Sequence, residues 1–107
     1  SFKVTQEGTI YIHGKNNNER FVIATYENGG QKDIAETPLT FSTKIEAYED
    51  IIVLGNVDQQ KIFFRYNKNG QLVKSVKPYL GLCGEYHITS DYRVYSNASR
   101  LIQLTKL

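Results

Sequence analysis

Apolar and polar residues alternate along most of the chain, and clusters of Asn, Gly and charged residues interrupt the alternation at short intervals. A period of two marks half-buried strands, and the interruptions mark turns between them. The clearest case is Lys61 to Lys77, KIFFRYNKNGQLVKSVK. An apolar run, an Asn-Gly pair and an alternating run predict a β-hairpin there. Asn69-Gly70 suits its tight turn, because both residue types tolerate the positive φ that matches strand twist.

The same grammar runs through the rest of the chain. Ser1 to Gln6 and Thr9 to His13 read as strands, Gly14 and Lys15 to Glu19 as a loop, and Arg20 to Tyr26 as a third strand. Asn28-Gly29 then turns the chain into Gln31 to Glu36. The two Asn-Gly turns lie 41 residues apart (69 minus 28), and the same offset aligns Ile10 with Ile51, Ile12 with Val53, Gly14 with Gly55, Phe21 with Ile62 and Leu39 with Leu80. A second step aligns Asp50 with Asp91, Val53 with Val94 and Asn56 with Asn97. A period of about 40 residues with several short strands per unit is in the range of propeller blades. It predicts units over residues 1–38, 39–79 and 80–107.

In the middle unit the strands are Phe41 to Tyr48, Asp50 to Gly55, Lys61 to Asn67 and Gln71 to Lys77. The second and third are apolar on both faces, as expected of strands covered on two sides. The fourth carries Lys74 and ends in Lys77-Pro78, residues that guard an open sheet edge. A competing pattern sits at residues 43–52, where Thr43-x-x-Glu46 has capping-box form and Ile45, Tyr48 and Ile52 keep helical spacing. A short helix there would make the domain α+β. The strand-like alignment of Asp50-Ile51 with the other units favours an all-β class, an antiparallel meander of about three blade-like units. A β-sandwich or barrel is the other all-β arrangement.

Composition agrees with strands, since Tyr, Phe, Ile, Val and Thr are plentiful and Ala is scarce. A chain of 107 residues suffices for one core without cross-links, and a lone cysteine, Cys83, excludes an internal disulfide. The 13 basic and 11 acidic side chains form no run of either sign, which argues against nucleic acid and anionic membranes as partners. Apolar runs such as Ile51 to Leu54 are too short to span a bilayer. No leader or lipidation motif is recognisable, and with no Met in the sequence the expectation is a mature, trimmed product or a fragment of a larger propeller.

Candidate chemistry is sparse. Cys83, Glu85 and His87 alternate along a predicted strand and would share one face, a set that suits a metal with His13 as fourth ligand, or a Cys-His nucleophile with the Gly84 amide as oxyanion donor. Without paired CxxC or HxxxH spacing, the simpler reading is a small buried apolar Cys83. No metal, no cofactor and no enzymatic activity are therefore expected. Glu46, Glu49 and Asp50 cluster, yet charged residues at an element start are usually just solvated. Gly29-Gly30 joins strand to strand and meets no helix N-terminus, so it is no phosphate cradle. The tyrosines, with the amide-rich Asn16-Asn17-Asn18 loop, suit a recognition surface for protein or sugar. Asn97-Ala98-Ser99 has the form of a glycosylation acceptor.

The passage YNKNGQLVKSVKPYLGLCGEYHITSDYRVYSNASRLIQL resembles the blade-to-blade passage of six-bladed β-propellers of the Bacteroidetes-type and NHL-like families. Asn69-Gly70 matches their strand-ending turn, and Gly81, Gly84, Glu85 and Tyr86 match parts of their glycine-rich corner, with Cys83 where proline is usual. The resemblance implies blade-like units and an extracytoplasmic, periplasmic or extracellular, binding scaffold; it implies no catalytic residue. Three units do not close a ring alone, so self-association is expected, most simply a homodimer. The functional expectation is a non-catalytic protein-binding or assembly module, with a carbohydrate-binding module as alternative and a Cys/His enzyme as the minority reading. Tyr79, Glu85, Tyr86 and His87, at the corner, are the candidate binding residues.

Overall fold

The computed structural model describes residues 1–77, 86–98 and 101–107. All the regular structure in them is β, in three antiparallel sheets of consecutive strands. The first sheet holds β1 (Phe2–Val4), β2 (Ile10–Lys15), β3 (Phe21–Glu27) and β4 (Gly30–Glu36). The middle sheet holds β5 (Phe41–Ala47), β6 (Ile51–Val57), β7 (Gln60–Tyr66) and β8 (Leu72–Val76). The third holds β9 (Tyr86–Ile88), β10 (Arg93–Ala98) and β11 (Leu101–Lys106). Each strand lies beside its sequence neighbours, so every sheet is a simple meander.

Residues 43–52 form two strands, not a helix. Ala47 pairs with Ile51 across a tight connection in which the Tyr48 amide donates to the Asp50 carbonyl at 2.9 Å. The cause is two-sided burial. A strand sends Ile51 and Val53 to one face and Ile52 and Leu54 to the other, and all four are completely buried. A helix would gather its apolar residues on one stripe and leave the other face of this sheet uncovered. Glu46, the expected capping partner, instead forms an ion pair with Lys3 of β1 at 3.3 Å.

Two cores lie on either side of the middle sheet. Tyr11, Ile23 and Ala35 of the first sheet meet Ile45, Ile51, Val53, Phe64 and Tyr66, with Leu39 of the intersheet connection sealed among them. On the opposite face Ile52, Leu54 and Phe63 meet Ile88, Val94 and Leu107. Each fully buried Ile, Leu or Phe contributes roughly 1.5–3 kcal/mol relative to exposure, so the middle sheet supplies apolar side chains to both cores at once.

Hairpin turns fall into two kinds. Asn28-Gly29 (φ 51° and 77°) and Asp58-Gln59 (φ 50° and 66°) are two-residue turns with positive φ at both positions. The second lacks a glycine, which is why its turn type left no trace in the sequence. The Asn69-Gly70 turn differs from the expected two-residue form, since only Gly70 has positive φ (86°). Asn67 starts it. Its amide donates to the Gln71 carbonyl at 3.0 Å, and its Oδ1 accepts from the amides of Asn69 and Gln71, each at 3.0 Å. Asn16 builds the same turn between β2 and β3, with Glu19 in the left-handed region (φ 61°). Thr5 and Thr89 do so with a hydroxyl, which accepts from the amides of Thr9 and Arg93. The local side-chain acceptor thus selects a turn that a dipeptide rule does not see.

Gly70 is constrained a second time, because a Cβ there would lie 2.2 Å from the Ile34 carbonyl oxygen of β4. Gly29, at similar φ, has open space around its missing Cβ. Gly29→Ala is therefore expected to cost about 1 kcal/mol for the backbone conformation alone, and Gly70→Ala about 3 kcal/mol, since β4 must also retreat. Urea unfolding of the two variants checks this; equal losses would show that the close approach carries no weight.

Candidate functional site

Of the corner residues, Tyr79 and Glu85 lie outside the described residues, as does Cys83. Tyr86 opens β9, where its backbone pairs with Ser96, and His87 is exposed beside its cross-strand partner Tyr95. His13 lies elsewhere. It is buried on the inner face of the first sheet, with the whole middle sheet between it and His87, so the two imidazoles do not share a ligand set. Among the described residues no three His, Cys, Asp or Glu side chains approach closely enough to hold a metal.

His13 is instead a structural residue. Its Nε2 is 2.8 Å from the Thr37 hydroxyl, and its ring stacks on Phe21 with centroids 6.2 Å apart. Burial, with a smaller effect from the amino group of Ser1, lowers its pKa from 6.5 to about 4. The neutral ring is what the fold accommodates.

Of the carboxylates singled out in the sequence, Glu46 and Asp50 are engaged in ion pairs and Glu49 is exposed. Asp50 receives the Arg65 Nε at 2.7 Å, while Arg65 Nη1 donates to the Leu107 carbonyl at 3.1 Å. The guanidinium lies 3.6 Å from the centroid of the Tyr92 ring, a close cation–π contact. The Tyr92 hydroxyl accepts from the Asp50 amide at 2.8 Å, and the Tyr48 hydroxyl donates to the Ile88 carbonyl at 2.6 Å. Burial, with Glu46 and Tyr92 nearby, raises the Tyr48 phenol above its ordinary pKa and keeps that donor protonated. Tyr92 holds a left-handed backbone (φ 63°), unusual for an aromatic residue. Its ring and hydroxyl contacts offset that strain. This cluster rivets the third sheet to the middle one, and nothing in the spacing of Arg65, Asp50 and Tyr92 announces it.

The tyrosines whose side chains are described do not gather into one surface. Tyr11 and Tyr66 are buried and Tyr48 and Tyr92 belong to the rivet. Among the described side chains Tyr26 and Tyr95 are the exposed ones, at 46% and 38%, on opposite terminal sheets. The amide-rich loop borders an open polar groove of about 490 Å³, lined by Lys15, Asn16, Asn17, Asn18, Gln31 and Asp33. No tyrosine lines it among the described residues. A second open cleft of about 530 Å³ lies on the seam of the first two sheets, where Lys68 sits 5.9 Å over the Tyr11 ring. The sequon residues Asn97 and Ala98 lie within β10, and Ser99 is outside the described residues.

The least expected feature is apolar and exposed. Cross-strand pairing places Phe2 beside Ile12 and Val4 beside Ile10, with Tyr26 next to Ile10 on β3. These side chains share the outer face of the first sheet and are 37–68% exposed. On the outer face of the third sheet Tyr95 pairs with Leu104, at 38% and 49% exposure. The middle sheet is covered on both faces at β6 and β7, with Phe41, Leu72 and Val73 exposed on its outer strands; each terminal sheet has one apolar face open. Contiguous exposed apolar patches are uncommon on the surfaces of monomeric globular proteins. The signal for this one was present in the 41-residue offset, since Ile10 and Ile12 align with the buried Ile51 and Val53.

No protein-family model, no curated protein and no solved structure matches the chain. Among the described residues no helix is long and apolar enough to cross a membrane.

Two measurements check the buried polar groups. Because the folded pKa of His13 lies below its unfolded value, its contribution is full above about pH 6.5 and is lost as pH falls towards about 4, a loss on the order of 3 kcal/mol. Urea unfolding at about pH 7 and about pH 5 is expected to show a smaller drop for His13→Gln than for the parent; an unchanged drop would assign the acid sensitivity to other groups. Arg65→Ala strands Asp50 and removes the cover of Tyr92, with an expected cost of about 2–3 kcal/mol. Arg65→Lys is expected to recover less than half of it, because an ammonium lacks the planar fork. Hydrogen exchange should speed up in β10 before β3, and uniform acceleration would contradict the rivet.

Proposed function

We propose that the chain is a non-catalytic protein-binding or assembly module made of propeller-like blades, and that its working surfaces are the open outer faces of the two terminal sheets. The observation that carries this reading is the exposure of Phe2, Val4, Ile10 and Ile12 together on one face, in a chain whose middle sheet buries Ile45, Ile51 and Val53, the residues aligned with Val4, Ile10 and Ile12. Leaving such a face in water is unfavourable by about 25 cal/mol per Å² of apolar surface, so a partner that covers it gains that free energy. His87, from the candidate binding set, lies on the corresponding face of the third sheet beside Tyr95. Carbohydrate binding keeps one supporting feature, the amide groove at Asn16 to Asn18, but it has no described aromatic ring on which a sugar would stack.

Photo-crosslinking tests the assignment. A benzophenone side chain at position 12 or 104 is expected to give saturable adducts with a defined protein identified by mass spectrometry, while the same group at the exposed Lys74 of edge strand β8 gives none. Adduct yields no higher at the two faces than at position 74 would defeat the reading. A glycan-array signal abolished by Asn17→Ala would move the function to the amide groove.

A further inference from the structure

We infer that the partner covering the outer face of the first sheet is the third sheet of a second copy of this chain, in a head-to-tail stack. The inference rests on the assembly reading above and deepens it by naming the occupant. Its basis is the directional way in which the chain already stacks its own sheets.

Each internal contact joins two different faces. At the first, Tyr11 of β2 points towards the following sheet and meets Ile51 and Val53, which point back towards the preceding one. At the second, Ile52 and Leu54 point forward and meet Val94, which points back. The 41-residue offset aligns the backward-facing positions Ile10/Ile51, Ile12/Val53 and Val53/Val94, and the forward-facing positions Tyr11/Ile52, His13/Leu54 and Leu54/Tyr95. The open face of the first sheet, with Ile10 and Ile12, is therefore a backward face lacking a predecessor. The open face of the third, with Tyr95 and Leu104, is a forward face lacking a successor. A face of one kind has met a face of the other kind twice within this chain, and one copy offers what the other copy lacks. Two backward faces placed together would reproduce neither contact.

Charge points the same way. On the first sheet β4 adds Asp33 and Glu36 to the open face, through pairing with Ala24 and Val22. On the third, Arg93 and Lys106 are cross-strand partners on the open face. Arg20 bridges Glu36 and Asp91 bridges Arg93, in exposed pairs that leave Asp33 and Lys106 to set the sign of each rim. Acidic against basic favours the heterologous contact over either self-paired face.

The test uses two blocking variants, Ile12→Asp on the first sheet and Leu104→Asp on the third, with light scattering coupled to gel filtration at high micromolar concentration. The parent chain is expected to form dimers or longer species. Each variant alone is expected to be monomeric, with at least a tenfold rise in the dissociation constant. An equimolar mixture should recover a 1:1 dimer, because the Leu104→Asp chain keeps its first-sheet face and the Ile12→Asp chain keeps its third-sheet face. A monomeric parent chain overturns the inference, as does a mixture that stays monomeric or assembly that only one variant breaks. Phe2→Asp, at a more exposed position of the same face, replaces Ile12→Asp if the latter loses cooperative unfolding. A monomeric parent whose position-12 adducts contain a different protein would sink the self-stack and leave the assembly reading standing; a monomeric parent without adducts would sink both.

Discussion

Ile51, Ile52, Val53 and Leu54 are consecutive and wholly buried, and successive side chains of a strand point to opposite faces. That combination requires a roof on each side of β6. The first and third sheets are those roofs, and the rest of the architecture follows from where they must sit. The connection through Leu39 delivers the middle sheet onto the first with its own side chain sealed in the seam. Arg65, Asp50 and Tyr92 hold the third sheet at the opposite face, where the described apolar core is smaller and polar contacts add to it.

The constraint also gives the polar groups of His13 and Asp50 structural roles. The buried imidazole of His13 hydrogen-bonds within the first sheet's connection, and the Asp50 carboxylate completes an ion pair at the second seam. These two groups lie at different seams, on either side of the middle sheet. A stack that buries both faces of one sheet necessarily leaves one face of each terminal sheet to be covered by something else or to stay wet. On both terminal sheets of this chain the free face carries large apolar side chains.

Strand positions were legible to within a residue or two for β2 to β8, because alternation at period two is a local property of the chain. The open faces were legible only by analogy. Phe2, Val4, Ile10 and Ile12 carry the alternation of any half-buried strand, and only the alignment with Ile51 and Val53 hints that the same pattern is covered in one place and bare in another. The Arg65 cluster had no such hint. Its members come from the connection into β6, from β7 and from the turn into β10, and their meeting depends on how two sheets cross. The candidate corner at Tyr79 to His87 is represented in the described structure by Tyr86 and His87, of which His87 reaches an open face.

By itself the sequence determined the β class, the order of strands and the places where the chain turns, since each depends on side-chain period and on residues a few positions apart. It determined less about turn geometry, because the acceptor atom of Asn67 competes with the dipeptide preference of Asn69-Gly70. Only the tertiary structure decided that residues 43–52 extend, that Gly70 must lack a side chain beside Ile34, and which apolar faces are covered. Those outcomes depend on a second sheet arriving from a distant part of the chain, and burial is a property of the pair of surfaces that neither strand carries alone.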